Sequence, residues 1–268
     1  MDATVPQEQK RSAGISSQCS RVINSHRILF AHMSVGNDIM AGLASAGGAL
    51  HEPIAIHAVD AGAAASVSPS PGISHFKIGA NAQPLQKFEN FKTFLLFRTN
   101  GLAFDLVGIK LCYVDIKKNT DILAVFNEYA ALVKAVTERY PHIRFVHFTV
   151  PLTTHYCGLK SRLKHALLGD QDNMQRSAYN ELLRQAYKGE PVIDIARTES
   201  TFPDGRRMEH AYFQARYYSL LPAYTADGGH LNDAGRARAA QVFANGLCKA
   251  LCTIMPQGAG GTQGENAR

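Results

Sequence analysis

The chain has 268 residues, 46% of them hydrophobic, which is enough to bury one full-sized core. It carries 28 lysine and arginine residues against 22 acidic ones, a formal net charge of +6, and the basic residues are scattered along the chain. This scatter differs from the basic stripe that is typical of nucleic-acid-binding proteins. We therefore predict one large domain that has no nucleic-acid partner.

Location and cofactors are predicted from patterns that the sequence lacks. No apolar run follows a basic start, and no segment is long enough to span a bilayer, which predicts a cytoplasmic protein without a membrane span. The five cysteines form no C-x-x-C pair, no histidines have the spacing of a metal site, and no glycine-rich phosphate loop follows the first strand. We expect reduced thiols, no metal and no cofactor.

The first elements of the chain surround a serine. Residues 1–25 are polar and lack periodicity, so we predict a flexible arm. The apolar run at residues 28–31 has the composition of a buried strand, and residues 35–46 repeat apolar side chains on one helical face. A short turn that contains Ser34 joins this strand to this helix.

Strands and helices then alternate. Further strands are predicted at residues 53–58, 104–113, 143–150 and 191–196, and further helices at residues 85–99, 120–140, 174–187 and 232–255. Irregular structure is predicted at residues 61–71, 153–172 and 197–226, and a disordered tail at residues 256–268. This order predicts an α/β fold, a three-layer α/β/α sandwich with a parallel five-stranded sheet, flavodoxin-like, in one domain over residues 26–255.

Ser34 is a candidate nucleophile because of its place in this order. A serine at a strand-to-helix turn lies at the carboxyl edge of the sheet, where α/β proteins bind their ligands. The helix start behind it offers unpaired N–H groups and a positive dipole end, which suit a reaction that forms an oxyanion. The alternative is that Ser34 only caps the helix, as serine often does.

A second candidate group precedes the last helix. Asp227 and His230 are three residues apart in a turn loosened by two glycines, so the carboxylate can reach the near imidazole nitrogen. That contact would leave the far nitrogen free to take a proton from a serine. The alternative is a plain helix entry, capped by Asn232 or Asp233, at which His230 is incidental.

Together these features resemble the SGNH (GDSL-like) hydrolases. The resemblance rests on the early serine directly after the first strand, on the Asp-x-x-His-Leu-Asn-x-x-Gly block at residues 227–235, and on the strand and helix order between them. It covers about residues 26–252, and the family's Gly-Asp-Ser is His-Met-Ser here, residues 32–34. The resemblance implies an SGNH hydrolase-like fold and a triad of nucleophile Ser34, general base His230 and orienting carboxylate Asp227.

The resemblance also implies an oxyanion hole, built from the N–H of Ser34, a glycine N–H and an asparagine side chain. Gly79 is the candidate glycine, with Gly72 as a second choice. The loop that matches the family's asparagine holds Asp115 instead, whose ionised carboxylate would repel an oxyanion. Asp115 held protonated, Asn81 as the amide donor, or a two-donor hole are the alternatives, and Asp115 could instead bind backbone groups in its own turn.

Two functions remain open at this point. The first is a serine ester hydrolase that cleaves a small acyl ester, on a small molecule or a glycan, with the acyl-enzyme cleared by water that His230 activates. The second is a catalytically weak or inactive SGNH-fold binding or scaffold protein, which the departures at residues 32–33 and 114–115 favour. A flavodoxin-like nucleotide binder is a third, disfavoured by the missing phosphate loop. The oligomeric state is not predicted.

Overall fold

The main feature of the fold is a parallel sheet between two layers of helices. The computed structural model describes residues 14–47, 52–60, 70–99, 104–155 and 170–253. Within them the main sheet has five parallel strands in the order β2-β3-β1-β4-β5. The strands are β1 Arg27–His32, β2 Ile56–Ala58, β3 Gly72–Lys77, β4 Leu106–Ile109, β5 Arg144–Phe145, β6 His147–Phe148, β7 Val192–Ile193, β8 Glu209–Tyr212 and β9 Ala215–Tyr218. The helices are α1 Ser17–Asn24, α2 Val35–Gly47, α3 Pro84–Thr93, α4 Ile122–Arg139, α5 Gln171–Ala186, α6 Ile195–Glu199 and α7 Asp233–Cys252.

The central strand β1 shows why the fold has three layers. Successive side chains of a strand point to opposite faces of the sheet. Ile28 and Phe30 belong to a buried cluster that contains residues of α1, α2 and α7, whereas Leu29 and Ala31 belong to a second cluster with residues of α3, α4 and α5. The predicted three-layer α/β/α fold with a five-stranded parallel sheet is confirmed.

The strands of the main sheet differ in one respect from the predicted ones. We assigned no strand to β3, which lies between β1 and β2, because polar residues interrupt its apolar pattern. Ser74 is buried there, and the His75 Nδ1 lies 2.9 Å from His32 Nε2 of the neighbouring strand. The predicted strand at residues 191–196 is β7, which pairs with β6 in a separate parallel ladder.

The predicted flexible arm is wrong over its last third. Residues 17–24 form α1, whose N-cap Ser16 accepts a hydrogen bond from the Cys19 N–H at 3.1 Å. Cys19 and Ile23 are buried, and the Cys19 thiol donates to the Ala244 carbonyl of α7 at 3.4 Å. The two apolar residues are four apart, so they share one helical face that packs into the core. Residues 1–13, and the predicted tail at residues 256–268, lie outside the described residues.

Two other regions depart from the predicted pattern. The helix predicted over residues 85–99 is α3 followed by a π-helical turn, Phe94–Arg98. The segment predicted to be irregular at residues 197–226 contains the end of α6 and an antiparallel hairpin of β8 and β9. Among the described helices, none is both long and apolar enough to cross a bilayer.

Helices α2 and α7 pack closely, although almost two hundred positions separate them in the sequence. A Cβ added to Gly42 of α2 would lie 2.4 Å from the Arg236 carbonyl oxygen of α7, closer than real Cβ atoms approach other atoms. Only glycine therefore lets the helices meet at this distance. The consequence is that the residues before α2 and the residues before α7 lie side by side.

Candidate active site

Ser34 lies between the carboxyl end of β1 and the start of α2. Its φ is +54°, in the left-handed region that non-glycine residues seldom adopt, and its carbonyl accepts a hydrogen bond from the Asn37 N–H at 2.7 Å. An ordinary N-cap serine has extended backbone angles and bonds the helix with its hydroxyl. The Ser34 hydroxyl instead contacts His230, so helix capping does not account for this serine. Strained backbone of this kind is concentrated at functional sites.

Three side chains from distant parts of the sequence form a row at this turn. Ser34 Oγ lies 2.7 Å from His230 Nε2, and His230 Nδ1 lies 2.6 Å from Asp227 Oδ2. The ring of His230 thus has the serine on one nitrogen and the carboxylate on the other. The side chains of His230 and Asp227 are 47% and 57% exposed, so the row opens to solvent.

The carboxylate of Asp227 is held by the turn that it begins. Its Oδ1 accepts hydrogen bonds from the N–H groups of Gly229 at 2.9 Å and His230 at 2.7 Å. The hydrogen bond from the His230 side chain, followed by these backbone N–H groups, keeps the pKa of Asp227 well below its usual range. The group is therefore ionised at neutral pH and can fix the orientation and the tautomer of the imidazole.

Asp38, four residues after Ser34, lies on α2 and positions the turn at residues 227–230 that carries His230, here called the histidine turn. Its Oδ2 accepts a hydrogen bond from the Leu231 N–H at 3.1 Å, directly after His230, and its Oδ1 pairs with Arg236 of α7 at 3.0 Å. Asp38 is 6% exposed. We did not single out this residue from the sequence, because its partners Leu231 and Arg236 lie almost two hundred positions away.

Tyr113, in the loop after β4, is the second residue that sequence reasoning missed. Its ring lies edge-on to the His230 ring, with 5.8 Å between centroids. A Cβ added to Gly229 would lie 2.8 Å from the Tyr113 hydroxyl, so the phenol fills the space beside the histidine turn. The signal was available, because this loop matches the one where the resembling family carries its asparagine.

His32, two residues before Ser34, is a packed core residue. It is fully buried, stacks on Phe30 with 4.8 Å between centroids, and bonds His75 of β3. Burial, and then the nearby charge of Lys110, lower the pKa of His32 to about 2. The imidazole is therefore neutral, and it packs in the core directly before the turn that contains Ser34.

The predicted oxyanion residues occupy different positions. Gly79 follows the carboxyl end of β3, next to β1, with a φ of +60°, and the N–H of the preceding Ile78 bonds the His32 carbonyl at 3.0 Å. Asn81 is exposed in the same loop. Gly72, the second choice, begins β3 and so lies at the opposite edge of the sheet, because its N–H bonds the His26 carbonyl before β1. The roles of Gly79 and Asn81 stay predictions.

Asp115 serves the loop rather than an oxyanion. Its carboxylate accepts hydrogen bonds from the N–H groups of Cys112 and Ala82, at 2.6 Å and 2.9 Å, and pairs with Lys87 at 2.6 Å. The side chains of Lys87 and Asp115 are both fully buried. The carboxylate is thus satisfied as an ionised acceptor, which corresponds to the alternative that it binds backbone groups in its own turn. This ion pair ties α3 to the loop after β4.

The chain is similar to proteins of known structure but not to known families or curated sequences. No protein-family model matches the chain, and no curated protein matches it. A structure described as an acylhydrolase from Bacteroides fragilis has a TM-score of 0.50 and 16% identity, over 93% of this chain and 99% of that one. Another, described as a platelet activating factor from Streptococcus pneumonia, has a TM-score of 0.50 and 16% identity, over 86% of this chain and 90% of that one.

The chain shares the α/β fold of these two structures, in which a parallel sheet lies between two layers of helices. A lipolytic protein of the G-D-S-L family from Desulfitobacterium hafniense is also among the similar structures, with a TM-score of 0.46 and 12% identity over 82% of this chain and 98% of that one. At these identities the likeness shows the fold alone. Any chemistry has to be argued from the side chains of the site. Within the described residues, no group of three or more histidine, cysteine or acidic side chains is placed to hold a metal ion.

Proposed function

We propose that this SGNH-fold chain is a serine ester hydrolase in which Ser34 is the nucleophile, His230 the general base and Asp227 the orienting carboxylate. The observation that carries the proposal is the unbroken row of contacts, 2.7 Å from Ser34 Oγ to His230 Nε2 and 2.6 Å from His230 Nδ1 to Asp227 Oδ2. A serine next to a base that a third group orients is the general arrangement of an activated nucleophile. The shared fold with a structure described as an acylhydrolase is consistent with it.

The first half of the reaction forms an acyl-enzyme. With Nδ1–H donated to Asp227, His230 Nε2 accepts the Ser34 proton while Oγ bonds the acyl carbon and the carbonyl electron pair moves onto oxygen. The imidazolium then gives its proton to the leaving alkoxide as the ester C–O bond breaks. Asp227 stays ionised throughout, because its hydrogen bonds keep its pKa low.

The second half returns the serine. Water loses a proton to His230 Nε2 and attacks the acyl carbon, and Ser34 leaves with the proton that the imidazolium returns. The oxyanion of both steps forms beside the start of α2, where the N–H of Ser34 is a donor and Gly79 and Asn81 of the neighbouring loop are candidate donors.

The substrate that we propose is a small acyl ester, on a small molecule or on a carbohydrate. The alcohol part of this ester can be large, as in a carbohydrate, because the site is open. The side chains of His230 and Asp227 are 47% and 57% exposed. An open rim lets a bulky alcohol approach while only the acyl group sits at Ser34. A purely structural role does not account for a serine held in a strained turn at hydrogen-bonding distance from a histidine.

Labelling by a fluorophosphonate probe tests the proposal, with hydrolysis of p-nitrophenyl acetate as the second readout. We expect one probe per chain, attached to Ser34, and loss of both labelling and hydrolysis in Ser34→Ala. The matched control is Ser219→Ala, because Ser219 Oγ also lies 2.8 Å from a histidine, His210, but Ser219 is only 1% exposed. Labelling that persists in Ser34→Ala would remove this serine from the nucleophile's role.

A further inference from the structure

A cavity of about 770 Å³ is lined by residues of α5 and of strand β9. On the helix side Met174, Ala178 and Glu181 line it, at the four- and three-residue spacing of one helical face. On the strand side Tyr218 lines it, and the Tyr218 N–H donates to Ser177 Oγ of α5 at 3.2 Å. A cavity of this size is typical of sites that bind small organic molecules.

The cavity is separate from the candidate active site and has a positively charged lining. None of Ser34, Asp227 and His230 is among its described lining residues. The described lining residues that carry charge are the basic Lys118, Arg184, Arg207 and Arg216 and the acidic Glu181. Such an excess of one sign of charge in a concave site favours a ligand of the opposite sign. The cavity therefore suits a negatively charged molecule.

Two of the three lining arginines already have carboxylate partners. Arg184 donates to both oxygens of Asp194, at 2.8 Å and 3.0 Å, and Arg216 Nη1 lies 2.6 Å from Glu209 Oε1. Arg207 differs, because within the part of the chain that the structure describes it forms no salt bridge and its side chain donates only to a serine hydroxyl. Arg207 is thus the arginine whose charge is left for a ligand.

The Arg207 guanidinium is fixed with one edge unused. Its Nε and Nη2 donate to Ser200 Oγ at 3.2 Å and 2.7 Å, and its central carbon lies 3.3 Å from the centroid of the Tyr218 ring. Ser200 is fully buried and donates to the Ala196 carbonyl at 2.7 Å, so the support is rigid. Of the five N–H donors of an arginine, two are used here and three remain, on Nη1 and Nη2. This edge is the fork that binds a carboxylate or a phosphate with two parallel hydrogen bonds.

The surroundings of Arg207 make its charge costly without a negative partner. Burial lowers the pKa of the Arg207 guanidinium, and the charges of Arg184 and Arg197 lower it further. The charge of Asp194 acts in the opposite direction, but both of its carboxylate oxygens are already bonded to Arg184. An anion at the unused edge would offset the loss of hydration.

We propose that this cavity is a second binding site, apart from the candidate active site, for an organic carboxylate or phosphate ester whose anionic group pairs with the Nη1 and Nη2 edge of Arg207. The apolar lining residues, Leu152, Met174 and Ala178 among them, would contact the body of the ligand. The inference does not depend on the proposed function, since binding at Arg207 needs no chemistry at Ser34.

Calorimetric titration of the full-length protein in Tris chloride tests the proposal. The probes are benzoate and phenyl phosphate, and benzamide is the neutral match of benzoate. We expect one benzoate or phenyl phosphate per chain, with benzamide bound at least about 10-fold more weakly, because a hydrogen bond to a charged group is the stronger kind. The tighter of the two anions identifies which anionic group the site prefers. Equal binding of benzoate and benzamide would overturn the proposal.

Arg207→Gln removes the charge and should raise the dissociation constant of the tighter anion by about 10- to 100-fold. The matched control is Arg216→Gln, in the same lining, which should change the constant by less than about threefold. Arg216 is already paired with Glu209, and its side chain is 76% exposed. An equal effect of the two substitutions, or no effect of Arg207→Gln, would overturn the assignment to Arg207.

Modification of the wild-type protein by phenylglyoxal, which reacts with guanidinium groups, gives the same information if Arg207→Gln does not fold. Mass spectrometry should show that the bound anion slows modification of Arg207 and not of its neighbour Arg206, whose side chain is 77% exposed. Equal protection of both, or of neither, would overturn the proposal.

A last measurement separates this cavity from the candidate active site. Protein that the fluorophosphonate has labelled at Ser34 should bind the anion with an unchanged dissociation constant. Loss of binding after labelling would mean that the anion binds beside Ser34, which would overturn the inference and leave the proposed function in place.

Discussion

The Ser34–His230 pair and the Ser219–His210 pair have similar contacts and different surroundings. Ser34 Oγ lies 2.7 Å from His230 Nε2, and Ser219 Oγ lies 2.8 Å from His210 Nε2. Ser219 follows β9 of the hairpin and is 1% exposed, so no ester can reach it. Ser34 follows the central strand of the sheet, in a strained turn at the start of a helix. The hydrogen bond alone therefore does not distinguish a nucleophile from a structural contact.

The two histidines also contact different groups. His230 bonds the ionised carboxylate of Asp227 at 2.6 Å, which stabilises an imidazolium while the serine reacts. His210 stacks on His155 with 4.3 Å between centroids and on Tyr217 with 5.2 Å. Ring stacking fixes the position of an imidazole without favouring its charged form. Solvent access and the strained turn at a strand end thus distinguish Ser34 from Ser219, and Asp227 contacts the histidine beside Ser34.

Replacing the carboxylate of Asp227 should give the largest effect. Asp227→Asn keeps the shape of the side chain, but the amide cannot stabilise the imidazolium, so we expect kcat to fall by about 10³–10⁴-fold. The measurement is the initial rate of p-nitrophenyl acetate hydrolysis. The control is Asp233→Asn, the fully exposed carboxylate at the start of α7, which should change kcat by less than about twofold. Equal rates in the two variants would show that Asp227 has no catalytic part.

Loosening the support of His230 should have an intermediate effect. Asp38→Ala removes the acceptor for the Leu231 N–H and the partner of Arg236. We expect a 10- to 100-fold loss of kcat, because small displacements of catalytic groups are costly. The free energy of unfolding should also fall, by about 1–3 kcal/mol, since a buried charged hydrogen bond is lost. Urea unfolding and steady-state kinetics measure the two effects, and wild-type kinetics would contradict a positioning role.

The last effect is on stability and concerns a buried acid that supports the segment of Ser219. The Glu199 carbonyl accepts the Leu221 N–H at 3.0 Å, and its fully buried carboxyl accepts the Leu152 N–H at 2.9 Å. Burial raises the pKa of Glu199 to about 8, despite the positive charges of Lys110 and Arg176. Folding therefore binds a proton at pH values above the usual carboxyl pKa of 4.5.

The proton that Glu199 binds on folding makes the free energy of unfolding depend on pH. The stability that neutral Glu199 contributes is fully present below pH 4.5 and is lost as pH rises through about 8. Glu199→Gln keeps an acceptor for Leu152 and cannot ionise. The free energy of unfolding of the wild type, relative to Glu199→Gln, should thus fall between these pH values, by at most about 1.4 kcal/mol per pH unit. A difference that is independent of pH would show that Glu199 does not change its protonation on folding.

Much of the architecture was predictable because its causes are local. The apolar run before Ser34 and the helical periodicity after it correspond to β1 and α2, and the apolar repeat at residues 120–140 corresponds to α4. β3 was not predictable in this way. Ser74 and His75 interrupt its apolar pattern, and they are tolerated because burial and a hydrogen bond to His32 of the next strand accommodate them. α1 was missed although Ser16 and the spacing of Cys19 and Ile23 indicated a short helix.

The candidate site was predictable to the extent that it resembles a known motif. Residues 227–235 and the serine after the first strand pointed to Ser34, Asp227 and His230, and the structure brings these three side chains together. Their catalytic roles stay a proposal. Asp38 and Tyr113 lie outside the motif, and neither has a local pattern that shows which loop it will contact.

Apart from α1, β3 and the β8–β9 hairpin, local sequence patterns predict the elements of this protein, namely the alternating strands and helices and the turn residues between them. Backbone propensity, side-chain periodicity and capping act over a few residues, so they can be detected along the chain. The order of the strands in the sheet, the exposure of the Ser34–His230 pair, and the contacts of Tyr113 and Asp38 with the histidine turn are set instead by tertiary packing. These outcomes depend on burial and hydrogen bonds between residues up to about two hundred positions apart, and local preferences carry no information about such contacts.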